Sequence, residues 1–158
     1  MRLVTFDAGS GPRAGVQTDS GILDAMDLLG ENGHGGVRRL IAGDRLSDLK
    51  VAVEAGNGEA VDASSVRILA PIPDPDKIIC IGLNYRAHAK ETGQETPRAP
   101  IIFGKYRNAL AADGDVVKLP AASTKVDYEA EVAFVIGRRA SEVAVEEALL
   151  DGAELRRV

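Results

Sequence analysis

Two groups of residues in this 158-residue chain have the types and spacing that chemistry needs. The first is Val126-Asp127-Tyr128-Glu129-Ala130-Glu131-Val132-Ala133-Phe134-Val135-Ile136. Read as a strand, alternate residues share a face. Tyr128, Ala130, Val132, Phe134 and Ile136 then form an apolar side, and Asp127, Glu129 and Glu131 begin the other. Neighbouring carboxylates on that side would lie about 6.6 Å apart. They repel, and strands disfavour Asp and Glu in any case. A hard divalent cation would relieve the repulsion, and carboxylate oxygens suit Mg²⁺, Mn²⁺ or Ca²⁺ rather than zinc. A solvated acidic face on an edge strand accounts for the same residues, and the pattern leaves both readings open.

The second group is Gly82-Leu83-Asn84-Tyr85-Arg86-Ala87-His88-Ala89-Lys90-Glu91. A helix over Tyr85–Thr92 brings His88 and Glu91, three residues apart, onto one face. A carboxylate beside an imidazole fixes its tautomer and raises its basicity, as a general base requires. An exposed His–Glu pair of small energetic consequence is the other reading.

Several elements must position these groups. Leu3–Phe6 predicts a strand, and residues 14–18 and 21–24 flank Asp19-Ser20 as a hairpin. Gly30–Gly36 is a glycine-rich loop holding His34, without the Lys and Ser/Thr of a phosphate-binding loop. Leu46, Leu49 and Val53 form the apolar stripe of a helix that Gly56 stops. Val66–Leu69 predicts a strand, and the alternating Pro71, Pro73 and Pro75 mark a domain boundary. Beyond it, Lys77–Gly82 reads as an Ile-rich strand buried on both faces. Asn84 is the expected cap of the His88 helix and Gly93 its close. Ile101–Gly104, Val116–Leu119 and Val126–Gly137 are further strand candidates, and a last helix opens at Glu146. The fold class is α+β, mainly β, with a small β-rich domain over residues 1–70 and a second domain over 71–158.

Composition narrows the function classes. A single Cys excludes an internal disulfide scaffold, and Cys80 within Ile78-Ile79-Cys80-Ile81 reads as a buried hydrophobe. No apolar run approaches the ~20 residues of a membrane span, and Asp7 follows the start too soon for a signal peptide. These features predict a cytoplasmic protein without a membrane partner. The net charge is −5, its acid excess lies in the first half, and no basic stripe calls for nucleic acid. Every aromatic residue except Phe6 falls at or beyond Tyr85, which places pockets in the second half.

Taken in order, Ile79–Ala89, Ile102-Phe103-Gly104-Lys105, Lys125–Val132 and Val135-Ile136-Gly137-Arg138 resemble the fumarylacetoacetate hydrolase family over about residues 70–149. Residues 1–69 look like the smaller, variable domain that precedes the catalytic part in many bacterial members. The resemblance implies that 71–158 is the first part of a mixed β-roll catalytic domain. It implies a divalent-metal-dependent enzyme that hydrolyses a C–C bond in acylpyruvates and other 2,4-dioxo acids, with relatives that decarboxylate or isomerise such compounds. Glu129 and Glu131 match two metal ligands for Mg²⁺ or Mn²⁺, with Ca²⁺ a further candidate. His88 matches the residue that activates water, and Glu91 the acid that orients it. Lys105 matches a lysine of the substrate pocket, and Arg86 adds positive charge for a small dicarbonyl acid. Members are commonly homodimers.

The family's third ligand is an Asp in a segment of the type Asn-Asp-x-Ser-x-Arg, which this sequence does not contain, and neither Asp151 nor Glu154 matches it. Tyr106-Arg107-Asn108 stands where a Pro–Ser-type sequence is usual. The expectation is therefore an N-terminal fragment of such a hydrolase. Its alternative is a catalytically inactive, folded or partner-binding module.

Overall fold

The computed structural model describes residues 1–147. The described residues fall into two units: Met1–Ile72 with residues 111–147, and Pro73–Leu110.

The first unit is built on five antiparallel strands in the order β4-β3-β2-β1-β5. They are β1 (Arg2–Asp7), β2 (Pro12–Thr18), β3 (Gly21–Asp24), β4 (Ala60–Val61) and β5 (Arg67–Leu69). Three helices intervene between β3 and β4: α1 (Ala25–Leu28), α2 (Val37–Ala42) and α3 (Leu46–Glu54). Leu3 pairs with Val16 and Val16 with Leu23, so these side chains share one face. Ala14 and Val16 pack there with Ala25 and Met26 of α1, Leu40 of α2 and Leu49 of α3.

The opposite face carries Phe6 and Ile22, each about 1% exposed. Both close over Gly15, where a Cβ would stand 2.5 Å from Ile22 Cγ2 and 3.0 Å from Phe6 Cε1. Gly15 is thus a matter of space rather than of backbone conformation. Gly15→Ala is expected to destabilise the chain by about 1–3 kcal/mol through overpacking. A lower urea midpoint at unchanged slope would register this.

Thr5 is fully buried. Its hydroxyl donates to the Pro71 carbonyl at 2.6 Å and accepts the Val37 N–H at 3.0 Å. Gly36, at the N-cap of α2, has no side chain with which to cap it, so Thr5, 32 positions before Val37, takes that role. Helix α1 starts differently: the Asp24 carboxylate accepts from the Met26 and Asp27 amides. Asp24 is also held by Arg13 Nε, and Arg13 Nη2 reaches Asp27 at 2.6 Å.

Asp7 ends β1 and accepts the backbone amides of Gly9 at 2.7 Å and Gly11 at 2.9 Å. The Gly11 amide foremost, then that of Gly9, holds its pKa below the usual 3.8. A carboxylate lowered on folding adds stability above its unfolded pKa and loses it as pH falls through the folded value. Asp62 and Asp115 are lowered in the same way, chiefly by the Ser64 and Ala112 amides. Stability is therefore expected to be level above about pH 3.8 as far as these groups act, and to fall below it. Asp7→Asn should flatten that acid limb in urea melts taken between pH 5 and 2.5.

Residues 111–147 belong to the first unit and form no helix or strand. Asp115 Oδ1 receives Arg67 Nη2 at 2.7 Å, tying this segment to β5. The expected strands at Val116–Leu119 and Val126–Gly137 do not form. Tyr128, Val132 and Ile136 are well exposed, Tyr128 at 90%. Alternation decides which face a strand would bury, but a strand also needs a ladder partner. Among the described residues none pairs with this segment. Glu146 and Glu147 lie in a turn; the rest of the helix expected to open at Glu146, together with Asp151 and Glu154, lies outside the described residues.

The second unit holds β6 (Ile78–Gly82) and β7 (Ile101–Lys105), antiparallel, with α4 (Arg86–Glu91) between them. The expectation that β6 is buried on both faces is corrected: Ile79 is 65% exposed and Ile81 39%. Two strands alone cover neither face of a sheet. Cys80, opposite Phe103, is a free thiol of intermediate exposure. Among the described residues no helix is long and apolar enough to cross a membrane.

Candidate active site

Strand β6 ends at Gly82, and Leu83 follows with φ +49°. This left-handed backbone is uncommon for a branched residue and sits at the turn into the His88 helix. Helix α4 then runs over Arg86–Glu91 with Tyr85 in the N-cap position and no side-chain cap hydrogen bond. The expected Asn84 cap is thus not made, because the helix starts one residue later than an Asn84 cap allows. Its other end closes as expected. Gly93, at φ +68°, donates its N–H to the Lys90 carbonyl, and Gln94 donates to that of Ala89. That pair of bonds is the Schellman closure, which a glycine in the left-handed region permits. Thr92 Oγ1 donates to the His88 carbonyl at 2.9 Å.

The helix is anchored by Ala89, 1% exposed. His88 beside it is half-buried, while Arg86 and Glu91 are exposed. Among the described residues no hydrogen bond or ion pair joins His88 to Glu91. Sharing a helix face brings the two into range, and long flexible side chains in water do not close the last gap unaided. Lys105, the last residue of β7, pairs in register with Ile78. It lines a cleft of about 380 Å³ with Asp76, Lys77, Tyr106, Arg107 and Asn108. Neither Lys77 nor Arg107 was singled out by residue spacing. They lie 30 residues apart, and only the strand pairing brings them together.

Glu129 and Glu131 belong to the first unit and lie on the exposed, unpaired stretch. As a donor set, two carboxylates two residues apart suit a hard cation, but they supply only part of the six oxygens that Mg²⁺ or Mn²⁺ takes. Among the described residues no three His, Cys, Asp or Glu side chains gather to hold a metal. His88, Glu91, Arg86 and Lys105 therefore share the second unit, and the two glutamates stand in the first.

The family model of the fumarylacetoacetate (FAA) hydrolase C-terminal region matches residues 77–151. The chain is also 34% identical over 154 residues to the mitochondrial oxaloacetate tautomerase fahd2 of Xenopus laevis, over 94% of this chain and 48% of that protein. The chain belongs to the fumarylacetoacetate hydrolase family.

Two crystal structures share the fold. A Mycobacterium smegmatis protein superposes with a TM-score of 0.73 at 22% identity, over 96% of this chain and 52% of its own. The maleylpyruvate hydrolase of Sphingobium sp. SYK-6, solved with manganese(II) ion and pyruvate, gives 0.69 at 31% identity, over 93% and 53%. The chain spans about half the length of the curated relatives it matches. The family contains both hydrolases and tautomerases.

Proposed function

We propose that this chain carries the water-activating and substrate-binding residues of a divalent-metal-dependent hydrolase that cleaves a C–C bond in acylpyruvate-like 2,4-dioxo acids. The observation that carries the reading is the Gly82-Leu83-Asn84 turn delivering α4, with His88 half-buried on it, in a family member similar to a maleylpyruvate hydrolase. Bound metal would supply Lewis-acid polarisation of a dicarbonyl group. Glu129 and Glu131 would hold it, with water and further donors completing its oxygens.

His88 would take a proton from water beside the remote carbonyl. Hydrogen bonds of a catalytic pair are often long in ligand-free structures and tighten with substrate, so Glu91 would orient the imidazole once the site is filled. Lys105 and Arg86 would neutralise the acid groups of the substrate. The reading includes a cytoplasmic enzyme acting on a small molecule and assembled as a homodimer.

The test is loss of the enol absorbance of an acylpyruvate in the presence of Mg²⁺ or Mn²⁺, with formation of pyruvate measured in parallel. Loss of absorbance without pyruvate would turn the reading to a tautomerase, the activity named for the Xenopus relative. In that case His88 would move a proton on carbon instead of on water. Neither change, in folded protein, would favour the non-catalytic module.

A further inference from the structure

The sequence holds two Asn-Gly pairs, Asn32-Gly33 and Asn57-Gly58. An asparagine before glycine can react with its own backbone, because the glycine has no Cβ to hinder attack by its amide nitrogen. That nitrogen must come within bonding reach of the asparagine Cγ, so a mobile side chain and an unengaged backbone favour the reaction. The two pairs differ in this respect.

Asn32-Gly33 is held from both sides. Arg39 Nη2 donates to the Asn32 carbonyl at 3.5 Å, and its Nη1 donates to the His34 carbonyl at 3.2 Å. Arg13 Nη1 reaches the Gly33 carbonyl at 3.4 Å. Both guanidinium groups are themselves fixed, Arg39 by Glu31 and Arg13 by Asp24 and Asp27. Turning the Asn32 backbone toward attack would break these bonds. Asn57-Gly58 is exposed, in the loop between α3 and β4. Among the described residues no hydrogen bond holds the Asn57 side chain, its carbonyl or the Gly58 amide. Gly58 has φ +96°, and a Cβ there would stand 2.8 Å from Leu28 Cδ2. Backbone conformation and space both demand glycine after Asn57, so the fold itself requires the reactive neighbour.

We propose that Asn57 is a site of spontaneous covalent modification, where the chain converts its own asparagine to aspartate and isoaspartate while Arg39 and Arg13 protect Asn32. The Gly58 nitrogen loses its proton and bonds to Asn57 Cγ. The side-chain nitrogen, Nδ2, leaves as ammonia after taking up a proton, and a succinimide ring remains. Water then opens the ring at one of its two carbonyls. Opening at Cγ restores the normal backbone with an aspartate side chain. Opening at the main-chain carbonyl routes the backbone through the side chain as isoaspartate, one methylene longer. The sum is one water consumed and one ammonia released, with no oxidant or reductant. Each event adds a negative charge to a chain already at −5. The isoaspartate form also lengthens the loop before β4, whose Ala60 and Val61 pair with Leu23 and Ile22.

The experiment ages the full chain in mildly alkaline buffer and maps the tryptic peptides 51–67 and 14–38, each of which holds one asparagine. In the folded chain the Asn57 peptide is expected to gain the mass of an amide-to-acid conversion and to split into aspartate and isoaspartate forms on chromatography. It should do so at least about tenfold faster than the Asn32 peptide, whose reaction waits on local opening. In guanidinium chloride the two peptides should age at similar rates, because only the folded structure separates them. Arg39→Ala should speed reaction at Asn32 and leave Asn57 unchanged, which also reports that the variant is folded. Asn57→Gln should remove the early mass gain. Native ageing at Asn57 no faster than at Asn32 overturns the proposal. So does an Asn57 that reacts in denaturant but not in the folded chain. A rate difference that persists in denaturant, or an Asn32 that stays slow in Arg39→Ala, overturns the protection assigned to the arginines.

Discussion

His88→Ala is expected to lower metal-dependent turnover of an acylpyruvate by about 10²–10⁴-fold, the usual contribution of a positioned general base. The loss should fall on kcat, with KM little changed, because the imidazole handles a proton that moves only as the transition state forms. The variant should fold normally. His88 is only half-buried, and Ala89 anchors the helix, so alanine, the best helix former, removes little packing. Glu91→Gln separates an orienting role from a bystander. If Glu91 acts through His88, the amide keeps the shape but loses the charge that raises imidazole basicity, and the acid limb of the rate profile moves to lower pH. A rate loss with an unmoved limb would mean that Glu91 does not act through the imidazole. Turnover by His88→Ala equal to that of the parent would remove His88 from the mechanism.

The second large effect is on metal binding. Replacing Glu129 and Glu131 together with Ala is expected to weaken Mn²⁺ binding by more than about 100-fold, since loss of outer-shell partners alone commonly costs 10–100-fold. Both carboxylates stand in solvent on an irregular stretch, so their loss removes charge without opening a cavity, and thermal stability should change little. Glu95→Gln, another exposed carboxylate, is the control and should leave the titration unchanged. Calorimetric titration with Mn²⁺ reads both. Equal affinity in the double variant and the parent would take the two glutamates out of the metal site.

Legibility of the fold followed the range of the forces involved. The strands β1, β2, β3, β5, β6 and β7 and the helix α3 could be read from local alternation, turns and periodicity, because each signal lies within a few residues. Gly93 as the close of α4 was equally readable, since only glycine enters the left-handed region cheaply. Helices α1 and α2 were not. Asp24 looked like the end of a strand while also capping α1, and the first amide of α2 is satisfied by Thr5, far away in sequence. The candidate site divided in the same manner. His88, Glu91, Glu129 and Glu131 were visible as residue types at fixed spacings, whereas Lys77 and Arg107 meet only through the register of β6 and β7.

The sequence by itself determined the family, the catalytic candidates and which residues would share a face, because side-chain direction follows from local backbone geometry. The tertiary structure alone decided whether a face is covered. Gly15 must be small only because Phe6 and Ile22 close over it. The apolar side of Val126–Ile136 stays exposed because none of the described strands pairs with it. Burial and ladder pairing depend on partners distant in sequence, and no local pattern carries that information.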